Sequence, residues 1–131
     1  MSLLTALIDQ ANESVISLTP EQFAAEADDP QTVVIDIREP DERAASGSIA
    51  HAVHVPRGVL EFRADATLAG HDSRLRNDAR VLLYCADGAR STLAAASLRT
   101  LGFTSVAHLQ GGVRAWDAAQ LPLVGRMPAP Y

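Results

Sequence analysis

The sequence predicts an α/β fold: a single domain built on a central, mostly parallel five-stranded sheet with helices on both faces. Three observations predict it. Five short apolar runs alternate with helical patterns along the chain. The interior runs are nearly continuous and rich in β-branched residues, as strands covered on both faces are. No repeat or interior linker divides the 131 residues, whose 47% hydrophobic and 21% charged content suits one core.

Each element has a local reason. Residues 1–14 form an amphipathic extension, because Leu3, Leu4, Leu7, Ile8 and Ala11 share one helical face suited to packing on the domain or on a second copy. Asp9 and Glu13, with no basic leader before them, argue against a secretory signal. The domain proper is expected over 15–121. Val15–Leu18 is a short strand. Thr19-Pro20-Glu21-Gln22 then starts a helix with a capping threonine, proline at the first helical position and glutamine at the third. Asp28-Asp29-Pro30 ends that helix near Ala27, and Thr32–Ile37 is the second strand. Arg38-Glu39-Pro40-Asp41-Glu42 opens a short helix that closes near Gly47.

Ala52–Pro56 is a third strand stopped by its proline, and Gly58 to about Ala64 is helical. Residues 65–79 are a polar loop with room for one helical turn. Arg80–Tyr84 is the fourth strand, and Ser91–Leu101 is a helix rich in alanine and leucine, ended by Gly102. Ser105–Leu109 is the last strand, Gly111-Gly112 a turn and Val113–Ala119 the last helix. Residues 122–131, with Pro122, Pro128 and Pro130, are an extended C-terminal tail.

The most informative position is Cys85, the only cysteine, at the carboxyl end of the fourth strand. Ligands of open α/β sheets bind at such strand ends, and a helix N-terminus presents free N–H groups there. Free cysteines more often serve as small buried hydrophobes. Here the loop Ala86-Asp87-Gly88-Ala89-Arg90-Ser91 follows at once. Gly88 lets that loop close tightly, Arg90 brings positive charge, and Ser91 with Thr92 can open the next helix. Cys85 is therefore read as a nucleophile that reacts as its thiolate. Arg90 has two readings, a binder of an anionic leaving group or a fork onto a carboxylate such as Asp36 or Glu42.

Composition excludes several classes. A net charge of −5 and a pI near 5.2 offer nothing to nucleic acid or an anionic membrane, and no stretch is long enough to span a bilayer. A lone cysteine makes no intramolecular disulfide, in keeping with a reducing, cytoplasmic setting. The four histidines do not cluster with a cysteine at metal-ligand spacing, His51-x-x-His54 being a weak signal alone. Neither a P-loop nor a dinucleotide fingerprint is present. No metal and no cofactor is expected.

Four segments in order carry a family resemblance. They are Asp36-Ile37-Arg38-Glu39-Pro40, then Gly47–Pro56, then Cys85–Ser91, and finally Leu101-Gly102-Phe103 with Leu109-Gln110-Gly111-Gly112 and Trp116. Over roughly Val15 to Leu121 the chain is similar to the rhodanese family of sulfurtransferases. The resemblance implies a rhodanese-like domain in which Cys85 takes a sulfane sulfur from a donor such as thiosulfate or a persulfide. Cys85 holds it as a persulfide and passes it to cyanide or a thiol. Amides from Ala86 to Ser91 would cradle the anionic sulfur. Asp36, Arg38 and Glu42 would shape the site. Arg57 has two readings, a guanidinium lining the mouth or the commoner solvated surface arginine, and Trp116 is either a wall of the pocket or, as a lone tryptophan on a terminal helix more often is, part of the core.

The match has departures. Ser48, Ala50 and His51 stand where the family shows histidine, proline and glycine. Asp87 puts a carboxylate inside the loop, where it opposes a dianionic donor unless it points outward or pairs with an arginine. Two other functions compete. A cysteine phosphatase or arsenate reductase shares the thiolate, amides and arginine, but the Cys85–Arg90 spacing is one residue shorter than that signature. A non-catalytic recognition module is the other, and the intact cysteine loop disfavours it. A homodimer through the N-terminal extension is a further expectation.

Overall fold

Alternation along the central strand fixes where the two cores lie. In the computed structural model, which describes residues 2–126, the strands are β1 (Ile16–Leu18), β2 (Thr32–Asp36), β3 (Val53–His54), β4 (Arg80–Tyr84) and β5 (Ser105–Leu109). All pair in parallel, in the order β1-β5-β4-β2-β3. Val81, Leu83 and Cys85 turn to one face, and Leu82 and Tyr84 to the other. Helices α4 (Leu60–Ala64) and α5 (Ala89–Thr100) cover the first face, through Leu60, Ala94, Ala95 and Leu98. Helices α2 (Pro20–Ala27) and α6 (Gly112–Ala118) cover the second, through Phe23, Val113 and Trp116. The described residues form the single α/β domain expected from the sequence, a five-stranded parallel sheet with helices on both faces.

The strand order also fixes the site. From β4 the chain crosses through α5 to β5 on one side, whereas from β2 it crosses through α3 (Pro40–Ser46) to β3 on the other. The carboxyl ends of β4 and β2 therefore flank a topological switch point, the crevice where such sheets take their ligands. Cys85 leaves β4 there and Arg38 follows β2.

Local chemistry behaves as the residues dictate at most ends. Thr19 and Gln22 form a reciprocal capping box at α2, with Pro20 in its first turn. Two differences are informative. The stretch 65–79 contains turns but no helical segment. Helix α5 starts at Ala89 rather than Ser91, because Gly88 takes a left-handed φ of 100° and becomes the cap residue itself. The Ser91 and Thr92 hydroxyls lie inside the first turn, their oxygens 3.2 and 2.8 Å from the Gly88 carbonyl oxygen.

The first and last of the described residues lie against the domain. Helix α1 (Leu3–Ser14) packs along α5, burying Ala11 while Leu3, Leu4 and Leu7 stay exposed. Of the expected tail, Pro122 accepts the Trp116 indole N–H at 2.9 Å, and Val124 exchanges two backbone hydrogen bonds with Ser48. Residues 127–131, with Pro128 and Pro130, lie outside the described residues. Among the described residues no helix is long and apolar enough to cross a membrane.

Gly112 joins α6 to the cysteine loop. Its φ is 61°, and a Cβ there would meet the Ala86 carbonyl carbon and oxygen and the Asp87 nitrogen at 2.5–2.6 Å. Those atoms are backbone and cannot swing aside. Gly112→Ala is therefore expected to cost about 2–3 kcal/mol in urea unfolding. An unchanged midpoint would show that the loop yields freely.

Candidate active site

Two N–H groups converge on the Cys85 sulfur. Gly88 donates to Sγ at 3.2 Å and Ser91 at 3.4 Å, with the Ser91 hydroxyl oxygen 3.5 Å away. The Ser91 amide is free to do this because the first-turn N–H groups of a helix have no intrahelical partner. The cradle is narrower than the run from Ala86 to Ser91 suggests. The Ala89 amide is taken by Asp87 Oδ1 at 3.1 Å. Asp87 is thus turned outward and exposed, bonded to its own loop. Ala86 is held through its carbonyl, which accepts the Arg114 N–H at 3.0 Å, while the Cys85 carbonyl accepts that of Val113 at 2.9 Å. The cysteine itself is fully buried.

A buried ionic frame stands beside the loop. Arg38, 1% exposed, donates Nε and Nη2 to Asp36 at 3.0 and 2.8 Å. Its remaining N–H groups reach the Gly47 carbonyl and the Ser46 hydroxyl, both at 2.6 Å. The Tyr84 hydroxyl donates to Asp36 Oδ2 at 2.9 Å and accepts the Ile49 N–H at 3.1 Å. Burial, reinforced by the Asp36 charge, pushes the Tyr84 phenol well above its ordinary range.

Arg90 takes the carboxylate-fork reading. Both its terminal nitrogens donate to Glu42, at 2.9 and 2.7 Å. That hydrogen bonding holds the Glu42 carboxyl down to about 2. Glu42 also accepts the Glu39 N–H at the start of α3, so one carboxylate caps a helix and anchors the loop.

The other expected residues lie elsewhere. Arg57 donates to Glu61 at 2.8 Å, and Glu61 also accepts the Ser97 hydroxyl, which fixes the guanidinium between α4 and α5. Trp116 belongs to the core on the opposite face from Cys85, edge-to-face with Phe23 at 6.0 Å, and does not wall the sulfur site. His51 adopts φ 67°, a left-handed geometry uncommon outside glycine. The His54 ring nitrogen lies 2.6 Å from the Arg38 carbonyl.

One site residue went unread in the sequence. His108 is buried beneath the first turn of α5, its Nδ1 2.9 Å from Ser91 Oγ and its Nε2 2.9 Å from Ser17 Oγ. Burial lowers its pKa to about 4, so it is a neutral imidazole at neutral pH. A signal existed. His108 stands two positions after Val106 in a buried strand, so period-two alternation puts it on the cysteine's face. It pairs in register with Leu83.

Openings flank the loop on two sides. A cavity of about 470 Å³ is lined by Asn12, Ser17, Asp87, Thr92, His108 and Gln110. Another, of about 300 Å³, touches Arg38, Glu42, Ala86, Arg114, Asp117 and Arg126. Among the described residues no group of three or more His, Cys, Asp or Glu side chains could hold a metal ion.

The site is thus a buried cysteine held by helix-start amides at the switch point of a parallel α/β sheet. The comparisons narrow the class. The profile of the rhodanese-like domain matches residues 19–119, and the chain belongs to that family. A sulfurtransferase of Allochromatium vinosum is 36% identical over 75% of this chain and 83% of its own length. The polysulfide-sulfur transferase homodimer of Wolinella succinogenes superposes with a TM-score of 0.73 at 30% identity, covering 91% of this chain and 85% of that one. A Rhodopseudomonas palustris protein of unknown function, named a possible tyrosine phosphatase, reaches a TM-score of 0.89 at 33% identity, with 95% and 96% covered. The tRNA uridine(34) hydroxylase of Rhizobium leguminosarum is 33% identical over 73% of this chain, which spans only 30% of the hydroxylase. The protein is thus a rhodanese-like domain with sulfurtransferase relatives.

The buried histidine makes stability depend on pH. Its folded pKa of about 4 lies below the ordinary 6.5, so between these values the unfolded chain binds the extra proton. Stability is fully present above pH 6.5 and falls as pH drops towards 4. The loss attributable to His108 is about 3 kcal/mol. Urea unfolding at pH 7 and pH 4 is expected to show that difference shrinking in His108→Asn. An equal loss in both proteins would mean that His108 is not buried neutral.

Proposed function

We propose that the protein is a sulfurtransferase that carries a sulfane sulfur as a persulfide on Cys85. The observation that carries this reading is the convergence of the Gly88 and Ser91 N–H groups on Sγ. The Cys85 thiolate attacks the outer sulfur of the donor, and a new S–S bond forms as the donor's own S–S bond breaks. With thiosulfate, sulfite departs with the bonding pair; with a persulfide, a thiolate departs. The terminal sulfur left on Cys85 is anionic, and helix-start amides stabilise it as an oxyanion hole stabilises oxygen. Cyanide or an acceptor thiolate then takes that sulfur and returns the Cys85 thiolate. No metal or cofactor enters these steps.

Phosphatase chemistry is the weaker reading. The loop is one residue shorter than that signature, and Arg90 is engaged by both oxygens of Glu42 rather than free for a phosphate. Two amides suit one sulfur atom better than a tetrahedral anion. A pure recognition module would have no use for amides aimed at a buried sulfur.

Intact mass tests the proposal. Thiosulfate is expected to add one sulfur atom, cyanide to remove it, and Cys85→Ser to prevent it. If thiosulfate leaves the mass unchanged, inorganic polysulfide is the next donor, and failure with both overturns the reading.

We also infer a homodimer across α1. Leu3, Leu4 and Leu7 are 90%, 59% and 52% exposed on one helix face, and the similar Wolinella protein is a homodimer. Sedimentation equilibrium is expected to give twice the chain mass, reduced to one copy in the Leu4→Glu, Leu7→Glu double variant. A monomeric parent protein would overturn it.

A further inference from the structure

We infer that His108, acting through Ser91, relays the Cys85 thiol proton to the cavity beside β1 by changing tautomer while staying neutral. This rests on Cys85 reacting as a thiolate and not on the identity of any sulfur donor. The amides that hold Sγ are donors and cannot accept a proton. Among the described residues the oxygen within hydrogen-bonding reach of Sγ is that of Ser91, and behind it stands His108 Nδ1. On its far side His108 Nε2 faces Ser17 Oγ, which is exposed and lines the cavity. A continuous path thus runs from a fully buried sulfur to solvent.

The proton account closes without an imidazolium. With Cys85 as thiol, S–H donates to Ser91 Oγ, Ser91 O–H to Nδ1 and Nε2–H to Ser17 Oγ. Deprotonation shifts each hydrogen one place. The thiol proton passes to Ser91 Oγ, the Ser91 proton to Nδ1, the Nε2 proton to Ser17 Oγ, and the former Ser17 proton to water in the cavity. The Ser91 hydroxyl now donates to the anionic sulfur, and Nδ1–H holds that hydroxyl in place. Without Nδ1, the hydroxyl's alternative is the Gly88 carbonyl 3.2 Å away. His108 is therefore a positioning residue.

The surroundings keep the imidazole uncharged. Ser91 and Thr92 face it from α5 and Ser17 from β1, while Asn12 of α1 lies behind the Thr92 hydroxyl at 3.2 Å. Thr92 Oγ1, 3.3 Å from Nε2, already donates to the Gly88 carbonyl at 2.8 Å. The other ionisable group lining the cavity is Asp87, held outward on the Ala89 amide. Leu83 of β4, the in-register neighbour of His108, carries no charge.

The test reads the tautomer directly, on whole protein labelled with ¹⁵N-histidine and assigned by the signals lost in His108→Asn. Long-range ¹H–¹⁵N correlation is expected to place the proton on Nε2 while Cys85 is a thiol and on Nδ1 once it is a thiolate. One tautomer in both states, or an imidazolium at pH 7, would overturn the inference. Iodoacetamide alkylation at pH 7 supplies a second reading. His108→Leu is expected to slow it about tenfold, and His108→Asn, whose amide N–H can replace Nδ1–H, to recover most of that loss. A wild-type alkylation rate in His108→Leu, folded by thermal unfolding, would assign His108 to packing alone. Because neither readout uses a sulfur donor, they can succeed even where persulfide loading fails.

Discussion

The ion pair of Asp36 and Arg38 is the contact on which the active end of the sheet depends. Two charges at 0% and 1% exposure carry a large desolvation cost, and such a pair adds little net stability unless its remaining hydrogen bonds are met. Here they are met. Asp36 takes the Arg38 backbone N–H, two side-chain N–H groups, the Tyr84 hydroxyl and Arg43 Nε. Arg38 spends its other donors on the Ser46 hydroxyl and the Gly47 carbonyl. The return is geometric rather than energetic. One pair ties the end of β2 to the residue before Cys85 and to the turn beyond α3.

From that frame the constraint passes to the sulfur along two routes. The first runs through β4, where Tyr84 is locked by Asp36 and Ile49 and Cys85 follows directly. The second runs through α3, whose Glu42 grips Arg90 and so sets the height of the first turn of α5. The cysteine loop is pinned at both ends before any ligand arrives. Gly112 closes the third side, where α6 presses its backbone against Ala86 and Asp87. A cradle that must present two amides to one atom within a few tenths of an ångström needs this over-determination.

How far the sequence foretold this depends on whether a feature is local. Strands β2 and β4 were legible because their apolar runs are nearly continuous, and the α2 capping box because Thr19 and Gln22 lie three residues apart. Cys85, its loop and the two candidate carboxylates for Arg90 were legible as well. The choice between Asp36 and Glu42 was not, since it depends on how α3 docks. The start of α5 was misplaced because Ser91 and Thr92 look like caps. Only the left-handed turn at Gly88 shows that they already lie within the helix. Arg57 and Trp116 each had two readings, and the fold decides both: Glu61 holds the guanidinium between α4 and α5, and Phe23 holds the tryptophan in the core. His108 escaped because a histidine in a strand is ordinary until its neighbours across the fold prove to be hydroxyls.

The division of labour between Arg90 and the amides fits what the proposed sulfur carrier must do. The cysteine has to attack one sulfur–sulfur bond and later leave from another, so its anion has to be stabilised and still remain reactive. Intrinsic nucleophilicity falls as a thiolate is stabilised. A guanidinium placed directly on Sγ would hold the charge at the expense of attack. Binding Arg90 to Glu42 keeps the positive charge at a distance, partly neutralised, while dipoles of fixed orientation meet the sulfur. The neutral His108–Ser91 pair extends the same logic, because a hydroxyl that can reverse its hydrogen bond serves both thiol and thiolate without adding charge. Asp87 and the net charge of −5 weigh in the same direction, disfavouring tight capture of a dianion. A site built this way is suited to passing a sulfur on rather than to storing an anion.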